Sequence, residues 1–136
     1  SAASDVYKRQ DMECSALSGG QFRMVMIARA LVSDPYILVM DEAETHLDIR
    51  RQRDLLKLIK KLTKERGIIC LFNTHYPEHA LKYADQVLFL GKKRYRYGKT
   101  EEMMTEENLR EFLDVKACLI DLKVFGYQEK MIYITD

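Results

Sequence analysis

Two adjacent carboxylates, Asp41 and Glu42, follow the apolar run Ile37-Leu38-Val39-Met40. A short apolar run bounded by turn signals reads as a buried strand of a parallel sheet. Acids at the C-terminal end of such a strand stand where open α/β sheets bind their ligands. Upstream, Ser18-Gly19-Gly20-Gln21 opens an apolar-rich stretch to Val32 whose charged members are Arg23 and Arg29. Ser18 is suited to cap a helix, and the two glycines allow close approach of backbone to a ligand. The free N–H groups and positive dipole end of that helix suit a phosphate. His75 lies two residues beyond a second apolar run that closes at Asn73, and Leu47-Asp48 ends the loop after the acid pair.

Each feature also has a plainer reading. Asp41 and Glu42 can be ordinary strand-end acids, Ser-Gly-Gly a simple helix cap, and His75 a structural histidine. His75 and His79 have the i, i+4 spacing of a metal pair, but Pro77 stands between them, which argues against that reading.

Taken in order, the motifs resemble the ATP-binding cassette (ABC) ATPase family. Leu17-Ser18-Gly19-Gly20-Gln21 matches its signature motif letter for letter, and Ile37–Glu42 looks like the Walker B strand with its catalytic glutamate. Leu47-Asp48 looks like the end of the D-loop, and His75 like the switch histidine.

The resemblance implies an α/β P-loop NTPase with a mostly parallel sheet, flanking helices and C-terminal β-hairpins. It implies ATP and Mg²⁺ as cofactors, with Asp41 on the metal and Glu42 as the base that orients the attacking water. His75 would contact the γ-phosphate. Ser18, Gly19, Gly20, Gln21 and Asp48 would close over the nucleotide of a second subunit in a head-to-tail homodimer. Two positions depart from the family pattern: Ala43 and Glu44 stand where Pro and Thr are usual.

The elements that must position these groups are legible in turn. Ile49–Arg66 places Leu55, Leu58, Ile59 and Leu62 at helical spacing, with Asp48 as N-cap and Gly67 as stop. Its other face is basic, which reads as solvated surface. Ile68–Phe72 is the next strand, Pro77–Ala84 a helix opened by proline, and Val87–Leu90 a further strand. Strand–helix alternation implies parallel pairing by right-handed crossovers. Lys92–Gly98 alternates basic with aromatic residues, as an amphipathic strand paired with Val87–Leu90 would. Thr105 caps a helix through Leu113, and Ala117–Val124 with Met131–Thr135 flank a turn at Gly126.

Composition sets limits. A chain of 136 residues with net charge +1 allows one domain at most and gives no global attraction to nucleic acid, which is not expected as a partner. The odd, widely spaced Cys14, Cys70 and Cys118 fit free thiols in a reducing compartment.

No G-x-x-x-x-G-K-S/T occurs in the chain, so the P-loop half of the cassette is missing and these residues alone are expected to be catalytically inactive. Ser1–Gln10 reads as a non-native translation of a sequencing adaptor. Residues 11–136 read as the C-terminal part of one ABC ATPase domain: 11–34 the end of the helical subdomain with the signature helix, 35–90 core sheet and helices, and 91–136 hairpin, helix and hairpin.

Thr45–Arg50, Asn73–Leu81 and Thr105–Leu109 are similar to the ATPase subunits of iron-siderophore, haem and cobalamin importers. That resemblance implies a peripheral subunit on the cytoplasmic face of the membrane, with permease subunits as partners and a substrate-binding protein acting indirectly. The alternative is a non-transport cassette of the translation or DNA-repair type.

Overall fold

The first helix, α1 (Gly19–Val32), starts where the chain's own chemistry starts it, at the Ser18 cap. The computed structural model describes residues 13–126 and 130–135, so the Ser1–Gln10 expectation lies outside the described residues. Strand β1 (Ile37–Asp41) follows, then α2 (Ile49–Arg66) and β2 (Ile69–Asn73). Asp48 caps α2 by accepting the Arg51 N–H at 2.9 Å, and Gly67 ends it in the left-handed region at φ 67°. Strands β1 and β2 pair in parallel, from Ile37 opposite Ile69 to Asp41 opposite Asn73.

The chain divides into two units between Asn73 and Thr74. In the first, Ile27 of α1, Leu38 and Met40 of β1, Ala43 and Leu47 of the following loop, Leu55 and Ile59 of α2, and Ile68 form the core. Alternate residues of β1 point away from it: Val39 is 70% exposed and Leu71, opposite it on β2, 58%. This corrects the expectation of fully buried strands. The runs are apolar on both faces, but only one face has cover among the described residues. Helix α1, although apolar-rich, is likewise only partly buried: Gly20 and Ile27 lie wholly inside while Phe22, Val25 and Met26 are exposed.

The second unit begins with α3 (Pro77–Tyr83), shorter by one residue than the sequence implies. Strands β3 (Gln86–Leu90) and β4 (Tyr95–Lys99) form an antiparallel hairpin. Helices α4 (Thr100–Met103) and α5 (Glu106–Leu113) follow, then a second antiparallel pair, β5 (Lys116–Asp121) with β6 (Lys130–Thr135). Val87, Phe89, Met104, Leu109 and Ala117 make its core.

The expected alternation on β4 is present, and it is the aromatic residues that face out. Tyr95 and Tyr97 face outward, while Arg96 turns in and meets Glu111 of α5 at 2.8 Å. An arginine can lay its stem along the sheet because a carboxylate receives its head. Gly98 takes the other inward position, where a β-carbon would lie 3.1 Å from the Met103 side chain. Strand β5 ends at Asp121, earlier than expected, because Leu122–Phe125 winds into a 3-10 turn closed by Gly126 at φ 82°.

Candidate functional site

The acid pair is placed by strand geometry. Asp41 is the last residue of β1 and is exposed, and its register partner on β2 is Asn73. The Asn73 amide Nδ2 donates to Asp41 Oδ1 at 2.7 Å. The Glu42 N–H donates to the Asn73 carbonyl at 3.1 Å, so one residue holds both acids. Glu42 leaves the strand at φ 45°, in the left-handed region that non-glycine residues seldom occupy. The chain turns there, and the Glu42 carbonyl accepts the Thr45 N–H at 3.0 Å.

The loop from Ala43 to Leu47 is buried at both ends and held from below. Ala43, Glu44 and Leu47 are buried, with Glu44 only 1% exposed. Gln52 of α2 reaches back so that its Nε2 donates to the carbonyls of Leu47 at 3.1 Å and Glu44 at 3.3 Å. His46, at φ 66°, is a second left-handed residue in this loop. Asp48 closes it as the cap of α2 and also pairs with Arg51 at 3.3 Å on the surface.

Ser18 and Gln21 satisfy each other in a capping box. Ser18 Oγ accepts the Gln21 N–H at 3.3 Å, and Gln21 Oε1 accepts the Ser18 N–H at 2.9 Å. The two glycines between them differ. Gly19 is open, with nothing near a would-be β-carbon, whereas Gly20 is packed against the loop. Its β-carbon would lie 3.2 Å from Leu47 Cδ2 and 3.4 Å from the His46 carbonyl oxygen. The sequence thus brings the glycine-capped helix start onto the loop that ends in Asp48.

Asp41, Glu42, Asp48 and Ser18–Gln21 all belong to the first unit, and His75 belongs to the second. His75 is exposed in the link between β2 and α3, where the Tyr76 N–H donates to Thr74 Oγ1 at 3.0 Å. His79 stacks on Tyr76, ring centroids 5.0 Å apart. Among the described residues no three His, Cys, Asp or Glu side chains gather as a metal site. A lone strand-end carboxylate fits Mg²⁺, which keeps several waters and takes its other oxygens from substrate phosphates. Sequence reasoning missed Asn73 and Gln52. Asn73 could have been noticed as a carboxamide closing an otherwise apolar strand.

A family model described as ABC transporter matches residues 2–45. The molybdate import ATP-binding protein MolC of Haemophilus influenzae is 34% identical over 97 residues, covering 71% of this chain and 38% of that protein. The phosphonates import ATP-binding protein PhnC 2 of Oceanobacillus iheyensis is 31% identical over 128 residues, covering 94% of this chain and 44% of that protein. Among solved structures, an inward-facing metal-chelate type ABC transporter matches with TM-score 0.77 and 27% identity, covering 90% of this chain and 49% of that one. A dimeric bacterial ABC transporter cassette matches with TM-score 0.60 and 31% identity over 65% of this chain and 38% of that one. The chain spans less than half the length of the relatives it matches.

Proposed function

Because this chain belongs to the ATP-binding-cassette ATPase family, we propose that it forms part of the ATP-hydrolysing subunit of an importer for iron-siderophore, haem or cobalamin. The observation that carries the reading is the first unit itself. It sets an acid pair at the end of a parallel strand and packs a phosphate-suited helix start on the loop that follows.

In this mechanism Asp41 holds Mg²⁺ and Glu42 takes a proton from the water that attacks the γ-phosphorus of ATP. Mg²⁺ held by Asp41 would neutralise charge on the β- and γ-phosphates. The bond from the γ-phosphorus to the bridging oxygen breaks, giving ADP and inorganic phosphate. His75 donates a hydrogen bond to the γ-phosphate. The free N–H groups of α1, with Ser18, Gly19, Gly20 and Gln21, receive the phosphates of a second subunit's nucleotide, and Asp48 lies at the same seam. The subunit works on the cytoplasmic face of the membrane beneath permease subunits, with a binding protein delivering cargo. No described helix is long and apolar enough to cross a membrane.

Likeness to the metal-chelate type transporter supports the cargo class, alongside Thr45–Arg50 and Asn73–Leu81. Oxyanion import is the second reading, favoured by the 34% identical molybdate relative. Uptake of a ferric siderophore against uptake of molybdate, in cells lacking the gene, separates the two.

The test of nucleotide sharing is sedimentation of the full-length polypeptide carrying Glu42→Gln. It is expected to dimerise with ATP and to return to monomer when Gly19→Glu is added, with ATP binding by each protomer retained. A dimer indifferent to Gly19→Glu contradicts the role given to the start of α1.

A further inference from the structure

Asn73 ends a strand that is otherwise Ile69-Cys70-Leu71-Phe72, and it sits in register with Asp41. A carboxylate only accepts hydrogen bonds, so the amide NH₂ is the group that Asn73 must offer it. The bond, 2.7 Å from Nδ2 to Oδ1, is at the short end for N–H to oxygen and is charge-assisted. The other carboxylate oxygen, Oδ2, takes no hydrogen bond from a described residue. The Asn73 carbonyl meanwhile fixes the N–H of Glu42 at 3.1 Å, just where the backbone turns into the left-handed region.

Two adjacent strand ends therefore share one clamp. Without the amide, the Asp41 side chain would be an exposed carboxylate free to rotate about its own bonds. With it, one oxygen is tied to β2 at the C-terminal end of the parallel pair.

We propose that Asn73 is a positioning residue for the metal-binding carboxylate: its amide fixes the Asp41 rotamer so that Oδ2 meets Mg²⁺ without prior ordering. This rests on the reading of Asp41 as the metal-holding acid. Partners that orient a ligand are worth about 10–100-fold in metal affinity, and an exposed clamp belongs at the lower end. The role does not extend to the chemical step, so the loss is in metal affinity and saturating metal recovers turnover.

The experiment compares Asn73→Leu, Asn73→Ala and Asn73→Gln in the full-length polypeptide, with Asp41→Asn alongside. Leucine keeps the volume without the amide, alanine removes the amide without adding bulk, and glutamine restores an amide on a longer arm. Two quantities are read: the Mg²⁺ concentration giving half-maximal ATP hydrolysis, and Mn²⁺ affinity of the ATP-bound Glu42→Gln form by electron paramagnetic resonance. Asn73→Leu and Asn73→Ala are expected to weaken both about tenfold, with Asn73→Gln recovering most of the loss. If both stay within about twofold of the parent while Asp41→Asn abolishes metal binding, the positioning role is wrong and the functional reading stands. If Asp41→Asn itself keeps normal metal affinity, the functional reading falls, and this inference with it.

Discussion

Gly20 lies against Leu47 so closely that a β-carbon on the glycine would come within 3.2 Å of the leucine Cδ2. The helix start that suits a phosphate and the loop that follows the acid pair are thus in direct contact. Gly20→Ala is expected to destabilise by about 1 kcal/mol, since overpacking against a buried leucine and a backbone carbonyl exceeds the gain in helix propensity. Gly19→Ala, with open space around it, should be neutral or stabilising by up to about 0.5 kcal/mol. Thermal unfolding of the two variants checks the difference in sign.

The capping box makes a separate prediction. Ser18→Ala removes the acceptor for the Gln21 N–H, while the backbone N–H that Gln21 Oε1 accepts remains, at a cost of about 1 kcal/mol. Ser18→Asp keeps an acceptor and should retain stability, yet it places negative charge where the proposed function has the nucleotide phosphates received. Equal ATP-driven dimerisation of the Ser18→Asp and parent proteins would contradict that placement.

The thiols should separate by reactivity. Burial pushes the Cys70 thiol above its ordinary value, and its Sγ lies 3.8 Å from Met40 Sδ beside the core. The thiolate is the reactive form, so a raised value means less of it near neutral pH. Cys70 should alkylate more slowly than the exposed Cys14 and Cys118 at pH 7, with its rate still climbing as pH rises past the usual thiol range. Peptide mapping after timed iodoacetamide exposure gives the order. Cys70 reacting first would show that the first unit is looser than described.

The isolated 136 residues should show no Mg²⁺-dependent ATP hydrolysis, because the phosphate-cradling loop and its lysine do not occur in this sequence. Turnover from the isolated chain, lost on Glu42→Gln, would contradict this.

What could be read from the sequence was local. Ser18, Asp48 and Thr105 are caps because a short side-chain oxygen one residue ahead of a helix meets the N–H groups there, whatever packs elsewhere. Gly67 as a stop is equally local, and α2 runs between the residues its caps imply. The site residues Asp41 and Glu42 were legible as strand-end acids for the same reason.

The rest depends on contacts between residues far apart in the chain. Nothing near Val39 in sequence says that its face of β1 has no cover among the described residues, because cover is supplied by other elements. The outward tyrosines of β4 follow from Glu111, fifteen residues beyond Arg96, taking the arginine inward. That Gly20 packs on Leu47 cannot be read from the neighbours of either residue in the chain. Asn73 looks like the end of a strand until the register sets Asp41 opposite it.

The most direct test of the central claim is steady-state ATP hydrolysis by the full-length polypeptide, with and without Glu42→Gln, at saturating Mg²⁺. Glu42→Gln is expected to lower turnover by about 10²–10⁴-fold, as loss of a general base does, while ATP affinity is preserved. Turnover within a few-fold of the parent would contradict it and return Asp41 and Glu42 to ordinary acids at the end of a strand.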